Sequence, residues 1–342
     1  MTNLPALAML DTALERALRA RVDGLAKPLG SLGRLENVAV RLGLIQNTMK
    51  PVVARALLLV FAGDHGLTQE GVSACPAAVT TAMVETFLAG RASANAFAAA
   101  VQAELRVVDA GMATEVPDRP QLLKRNVRRG TRNAAVEPAM TAAEVESALS
   151  DGAALAQGAA VEGFDILALG DMGIGNSASA ALIMHCLTGI SLDQCVGRGA
   201  GHDDAGLARK RSILARAVDR APAKEPRAVL AEFGGCEIAM MAGAVLGAAA
   251  ARRIVLVDGF ISTAAALAAI CIEPQAQHYC FFAHRSAEAG HRLMLESLGA
   301  EPLLDLQMRL GEGTGALLAV PLLRAAARLL SDVATLEEVL KG

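Results

Sequence analysis

The stretch Asp165-Ile166-Leu167-Ala168-Leu169-Gly170-Asp171-Met172-Gly173-Ile174-Gly175-Asn176-Ser177 decides the fold class. It opens with a short apolar run, passes through a glycine-rich turn, and continues into the Ala-rich segment Ser177 to Leu187, whose apolar spacing is helical. The same strand–turn–helix grammar recurs outward from it. Ala56 to Ala62 ends at Gly63-Asp64, Leu105 to Val108 at Asp109, Arg253 to Val257 at Asp258, and Tyr279 to Ala283 at His284. Helical segments such as Ile238 to Ala251 and Ser286 to Leu298 separate them. Strands alternating with helices predict an α/β fold, a parallel sheet with helices on both faces. Turns following the strands then converge on one crevice, where the chemistry is expected.

A chain of 342 residues, 53% hydrophobic, can bury a large core. Its net charge is −3, it has no basic block, and only Tyr279 and eight Phe could stack on bases, so a nucleic-acid partner is not expected. The N-terminus carries Asp11 and Glu15 among apolar residues rather than a basic start leading into an apolar run, which argues against a secretory signal. Ile238 to Ala251 and Phe260 to Ile272 are too short to span a membrane and read as buried helices. Six cysteines without a C-x-x-C pair suit reduced core thiols, and the expected location is cytoplasmic.

Val116 to Pro138 lacks apolar periodicity and reads as a long surface loop. The ends, Leu4 to Gln46 and Val320 to Leu340, read as helices able to pair. The expected division is a small helical lobe from residues 1–50 and 318–342 on an α/β core of residues 51–317.

In the turn after Leu169, small residues allow close backbone approach, and free N–H groups at the helix start favour an anion such as a 5′-phosphate. Gly173 to Ala178 also fits G-x-G-x-x-A, a dinucleotide fingerprint, with Asp193 twenty residues on. That reading needs the acid at the end of a second strand, and only the stub Gly189 to Leu192 precedes Asp193. A second glycine-rich stretch, Gly197 to Asp204, leads into a helix carrying Arg209, Lys210 and Arg211. It is either a capped, solvated basic helix or one whose Lys210 closes over the phosphate. Asp64-His65, His202-Asp203-Asp204 and Asp258 invite a metal hypothesis but lack ligand spacing, so neither metal nor cofactor is expected. In Arg309-Leu310-Gly311-Glu312-Gly313-Thr314-Gly315, one carboxylate lies between glycines before the apolar run Ala316 to Leu323. Glu312 is either a helix-start carboxylate or a partly desolvated base.

Together with Lys27-Pro28-Leu29-Gly30-Ser31-Leu32-Gly33-Arg34-Leu35-Glu36, Ala62-Gly63-Asp64-His65-Gly66 and Gly71-Val72-Ser73-Ala74, the Gly173 and Arg309 motifs give the chain a resemblance to the nicotinate-nucleotide:dimethylbenzimidazole phosphoribosyltransferase family. The motifs stand in family order over almost the whole chain. The resemblance implies a Rossmann-like sheet with a small helical lobe built from both ends, a homodimer, and small-molecule substrates, nicotinate mononucleotide and a benzimidazole-type base, for assembly of the lower ligand of cobalamin. It assigns general-base catalysis to Glu312, with Asp171 also catalytic where the family usually has glutamate. It assigns the ribose phosphate to Gly173, Gly175, Asn176, Ser177, Lys210 and Ser286, and the base pocket to Ser73, Ala74, Cys75 and Ala82. At Cys75 and Ala82 relatives commonly carry an aromatic residue and a glutamine, which implies a broad choice of base. The competing readings are a nucleotide-dependent oxidoreductase, resting on G-x-G-x-x-A, and a nucleotide-binding protein without catalysis.

Overall fold

Aliphatic runs too short for helices form the sheet: β1 (Ala56–Gly63), β2 (Ala103–Gly111), β3 (Leu122–Lys124), β4 (Ile166–Met172), β5 (Ile254–Val257) and β6 (Cys280–Phe282). The computed structural model describes residues 7, 8, 11–199 and 201–341. Residues 1–6, 9, 10 and 342 of the expected lobe, and Ala200 of the second glycine-rich stretch, lie outside the described residues.

The sheet order is β3-β2-β1-β4-β5-β6, and every pairing is parallel. Both faces are covered, so β1 and β4 are buried at every position, as continuous apolar strands require. Alternate side chains feed two cores. Leu57, Leu59 and Phe61 join Leu167, Leu169, Val255 and Val257, beneath the helices Ala142–Val161, Cys236–Ala250 and Phe260–Ile272. Leu58, Val60 and Ala62 join Ala168 and Leu256 on the other face, beneath Arg34–Gln46, Val79–Leu88 and Thr314–Asp332. The helices Ala142–Val161 and Cys236–Ala250 touch backbone to backbone. A Cβ at Gly152 would strike the Met240 carbonyl oxygen, and one at Gly243 the Leu149 carbonyl oxygen.

Leu18 and Val22 of Thr12–Asp23 pack with Leu42, Leu323 and Leu330 in the same core as the second sheet face. The Ala26 N–H donates to the Ala334 carbonyl at 2.9 Å, and Arg21 donates to the Val333 carbonyl at 2.7 Å, tying the two chain ends together. Thr314–Asp332 has the length and hydropathy of a membrane span, yet 56% of its most apolar window is buried inside this fold. Arg324 on it donates to the Val101 and Ala54 carbonyls.

Two expectations change. The surface loop Val116 to Pro138 contains β3, an edge strand of three residues, too short for any period to register in the sequence. The stub Gly189 to Leu192 forms no strand, in keeping with its sequence reading, and Leu192 opens the one-turn helix Leu192–Cys195. The helix expected from Ser286 begins only at His291, because the Ser286 N–H turns aside to donate to His291 Nδ1 at 2.8 Å.

Candidate active site

Sheet order reverses between β1 and its neighbours β2 and β4, and a crevice opens at such a switch point beyond the carboxyl ends of the strands. β4 ends at Met172, and Gly173-Ile174-Gly175 carries the chain into the helix Asn176–Thr188. Gly175 has φ 97°, and a Cβ there would come within 2.7 Å of Thr68 Cγ2. Glycine is thus demanded by both conformation and space. The Ile174 N–H donates to Thr80 Oγ1 at 3.1 Å, and Asn176 Nδ2 donates to Asp171 Oδ2 at 2.9 Å. Oriented N–H groups at the start of this helix suit an anion.

Lys210 does not reach out over that turn. It is fully buried, with Nζ donating to Ser177 Oγ at 2.9 Å and to the Gly197 carbonyl at 3.2 Å. Burial lowers its pKa to about 8, against the opposing pull of Glu288. Arg209 and Arg211 on the same helix are exposed, so the basic triplet divides into two solvated cations and one charge held behind Ser177.

The cavity beside the turn measures about 330 Å³, within the range of small-molecule sites. Residues 173–177 form one wall, Gly311 and Glu312 another, and Ser73, Met83 and Ser286 also face it. Ala74, Cys75 and Ala82 do not line it. One residue of helix is a rotation of about 100°, so the helix Val79–Leu88 turns Met83 to the cavity and Ala82 away.

Three carboxyl groups lie close together here. Glu312 has φ 64° between Gly311 at 84° and Gly313 at 82°, three consecutive left-handed residues that project its side chain into the cavity. It is 7% exposed, Oε2 has no hydrogen-bond partner among the described residues, and burial raises its pKa. Asp171 is raised to about 8, chiefly by burial and then by Asp258, with the Asn176 amide opposing and Glu237 and Glu312 adding to the rise. Asp258, following β5, is raised to about 7 by burial, against backbone N–H groups that favour its charged form.

Beneath the turn, His65 Nε2 meets Glu237 Oε1 at 2.6 Å, and His65 Nδ1 meets Ser179 Oγ at 3.0 Å. Burial alone would lower the His65 pKa, but Glu237 and Asp64 raise it above the ordinary value. Glu237 is not singled out by any sequence motif. Glu237 stands one residue before the apolar run Ile238 to Ala251, and its position after Gly234-Gly235 at a helix start is the available signal.

The residues suggested for a metal have other partners. Asp64 Oδ2 accepts from the Ala113 N–H at 2.8 Å, His202 Nε2 lies 2.8 Å from the Val72 carbonyl, and Asp258 accepts from Gly313 and Ala316. Among the described residues no group of three or more His, Cys, Asp or Glu is arranged to hold an ion.

A family model described as "Phosphoribosyltransferase" matches residues 7–339. The nicotinate-nucleotide–dimethylbenzimidazole phosphoribosyltransferase of Cupriavidus necator is 51% identical over 334 residues, covering 97% of this chain and 96% of the relative. The one from Dechloromonas aromatica is 50% identical over 335 residues, with the same coverage. The chain belongs to the nicotinate-nucleotide:dimethylbenzimidazole phosphoribosyltransferase family. The crystal structure of CobT from Thermus thermophilus superposes with a TM-score of 0.93 at 48% identity, covering 96% of this chain and 98% of that one. Membership in this phosphoribosyltransferase family removes the oxidoreductase reading, and the geometry agrees. A dinucleotide fingerprint needs its acid after a second strand, and Asp193 lies instead in the helix Leu192–Cys195.

Proposed function

We propose that this protein transfers the phosphoribosyl group of nicotinate mononucleotide to a ring nitrogen of 5,6-dimethylbenzimidazole or a similar base, releasing nicotinate and forming the α-ribotide for cobalamin lower-ligand assembly. Glu312 carries the reading: a desolvated carboxylate without a side-chain partner, set across a small cavity from a helix start suited to phosphate. That arrangement suits a base acting on one partner while the other is held by its anion.

The 5′-phosphate sits against the turn Gly173 to Ser177, with Ser286 beside it and Lys210 supplying positive charge through Ser177. The apolar edge near Val72, Ser73 and Met83 receives the aromatic base. In the reaction the free azole nitrogen forms a bond to C1′ as the C1′–N bond to the pyridinium breaks. The departing electron pair neutralises the nicotinate ring nitrogen, so no acid is needed. The azole's N–H proton passes to Glu312, and attack opposite the leaving group inverts the β-nucleotide to α. Asp171, whose pKa is about 8, is largely protonated near neutrality and donates a hydrogen bond rather than competing as a base. Two nearby carboxyls in different environments divide the roles in this way.

We also assign the described residues within 1–50 and 318–342 to a small helical lobe on the 51–317 core, supported by the ties between Arg21 and Val333 and between Ala26 and Ala334. The working form is a soluble cytoplasmic homodimer. Incubation with nicotinate mononucleotide and paired bases tests the reaction and its selectivity: nicotinate release should require the base, and benzimidazole and its methylated forms should compete within about 200-fold per methyl group. Nicotinate released at the same rate without any base would overturn the transfer.

A further inference from the structure

Glu312 Oε2 has no hydrogen-bond partner among the described residues to fix it, so the placement of this carboxyl depends on the backbone of the turn. That turn is an unusual one. Residues 311, 312 and 313 all have positive φ, and at Glu312 a side chain bears that conformation, which is uncommon for a non-glycine residue. The helix Thr314–Asp332 begins directly after it, and its N-cap, Gly313, has no side chain to receive the free N–H groups of the first turn.

Asp258 supplies what the helix lacks. It is fully buried after β5, with Oδ2 accepting from the Gly313 N–H at 3.2 Å and Oδ1 from the Ala316 N–H at 2.9 Å. A Cβ at Gly315 would strike the His284 ring and come within 2.8 Å of Asp258 Oδ1, so the third glycine of the motif makes room for both side chains. Thr314 Oγ1 closes the turn from its other side, donating to the Gly311 carbonyl at 2.8 Å.

We infer that Asp258 is a positioning residue for the reaction: its carboxylate clamps the Gly311–Ala316 turn from the end of a neighbouring strand and so places the Glu312 carboxyl against the substrate. Asp258 does not line the cavity. It also helps raise the pKa of Asp171, but its positioning role is the one it exerts through the backbone that carries Glu312. This inference rests on the reading of Glu312 as the base.

Replacing Asp258 should lower turnover without a matching loss of nucleotide affinity, since the phosphate turn belongs to another element. Asp258→Asn keeps one acceptor but turns an N–H group toward a former donor. Its kcat should fall by roughly 10- to 100-fold, the scale of a small misplacement of a reacting group, with KM for nicotinate mononucleotide changed by less than about threefold. Asp258→Ala should fall further, and where it does not fold, Asp258→Asn carries the test alone, assayed well below its melting midpoint. The deciding arm is the cycle with Glu312→Gln. Residues acting as one unit are non-additive, so Asp258→Asn should lower turnover little or not at all once Glu312 is replaced. Losses that multiply, or a kcat unchanged by Asp258→Asn, would overturn the inference. A Glu312→Gln single variant with normal turnover would instead remove the base assignment itself.

Discussion

At the scale of single residues, chemistry divides among groups of one type by environment. Glu312 and Asp171 both border the cavity, but Glu312 Oε2 has no partner among the described residues, whereas Asp171 accepts from Asn176 and is crowded by other carboxyls. Glu312→Gln should leave nucleotide binding largely intact and lower turnover by a factor on the order of 10²–10⁴, the usual span for a lost general base; steady-state kinetics with both substrates checks it. Lys210→Ala should raise KM for the nucleotide more than it changes kcat, because the positive charge it supplies through Ser177 is remote from the reacting carbon and contributes uniform binding. Unchanged nucleotide affinity would leave Lys210 only its structural bonds to Ser177 and Gly197. Asp171 also carries a stability consequence. Its pKa rises from 3.8 to about 8 on folding, so between those values the folded protein holds a proton that the unfolded chain has released. Stability from this group is complete below about pH 4 and is lost as pH rises toward about 8. The melting temperature of Asp171→Asn should therefore gain on that of the native protein as pH rises through this window, and parallel curves would contradict the assignment. Glu312 was legible from its glycine neighbours. The burial of Lys210 was not, because Arg209, Lys210 and Arg211 are alike in sequence and only packing separates them.

At the scale of elements, strands and turns were legible where an apolar run stops at Gly or Asp, as at Gly63, Asp109, Gly170 and Asp258. β3 escaped because three residues at a sheet edge carry no period. The base-side wall escaped for another reason. Ala82 and Met83 are adjacent in sequence but point to different surroundings on one helix, and the phase of that helix is set by tertiary packing rather than by local spacing. Close helix pairing brings its own prediction. Gly243 lets Cys236–Ala250 rest on the Leu149 carbonyl, and Gly243→Leu should force the helices apart and cost about 3 kcal/mol. Denaturant unfolding measures this, and a midpoint equal to the native one would mean that the contact is not tight.

At the scale of the molecule, a parallel sheet whose order reverses at β1 opens a crevice at the carboxyl ends of the strands, and the loops from β1, β4, β5 and β6 deliver their functional residues to it. Alternation of strands and helices made that architecture legible, while strand order was not, since a crossover leaves no local mark in the sequence. The family comparison covers nearly the whole length, from residue 7 to residue 339, so fold and reaction class belong to the same unit. The central claim is a single inverting displacement at C1′ with Glu312 taking the azole proton. Its most direct measurement is the anomeric configuration of the nucleotide formed from nicotinate mononucleotide and 5,6-dimethylbenzimidazole, read by NMR. The expected product is the α-ribotide alone, formed in equal amount with nicotinate. A β product, or free ribose phosphate with the base unchanged, would contradict it.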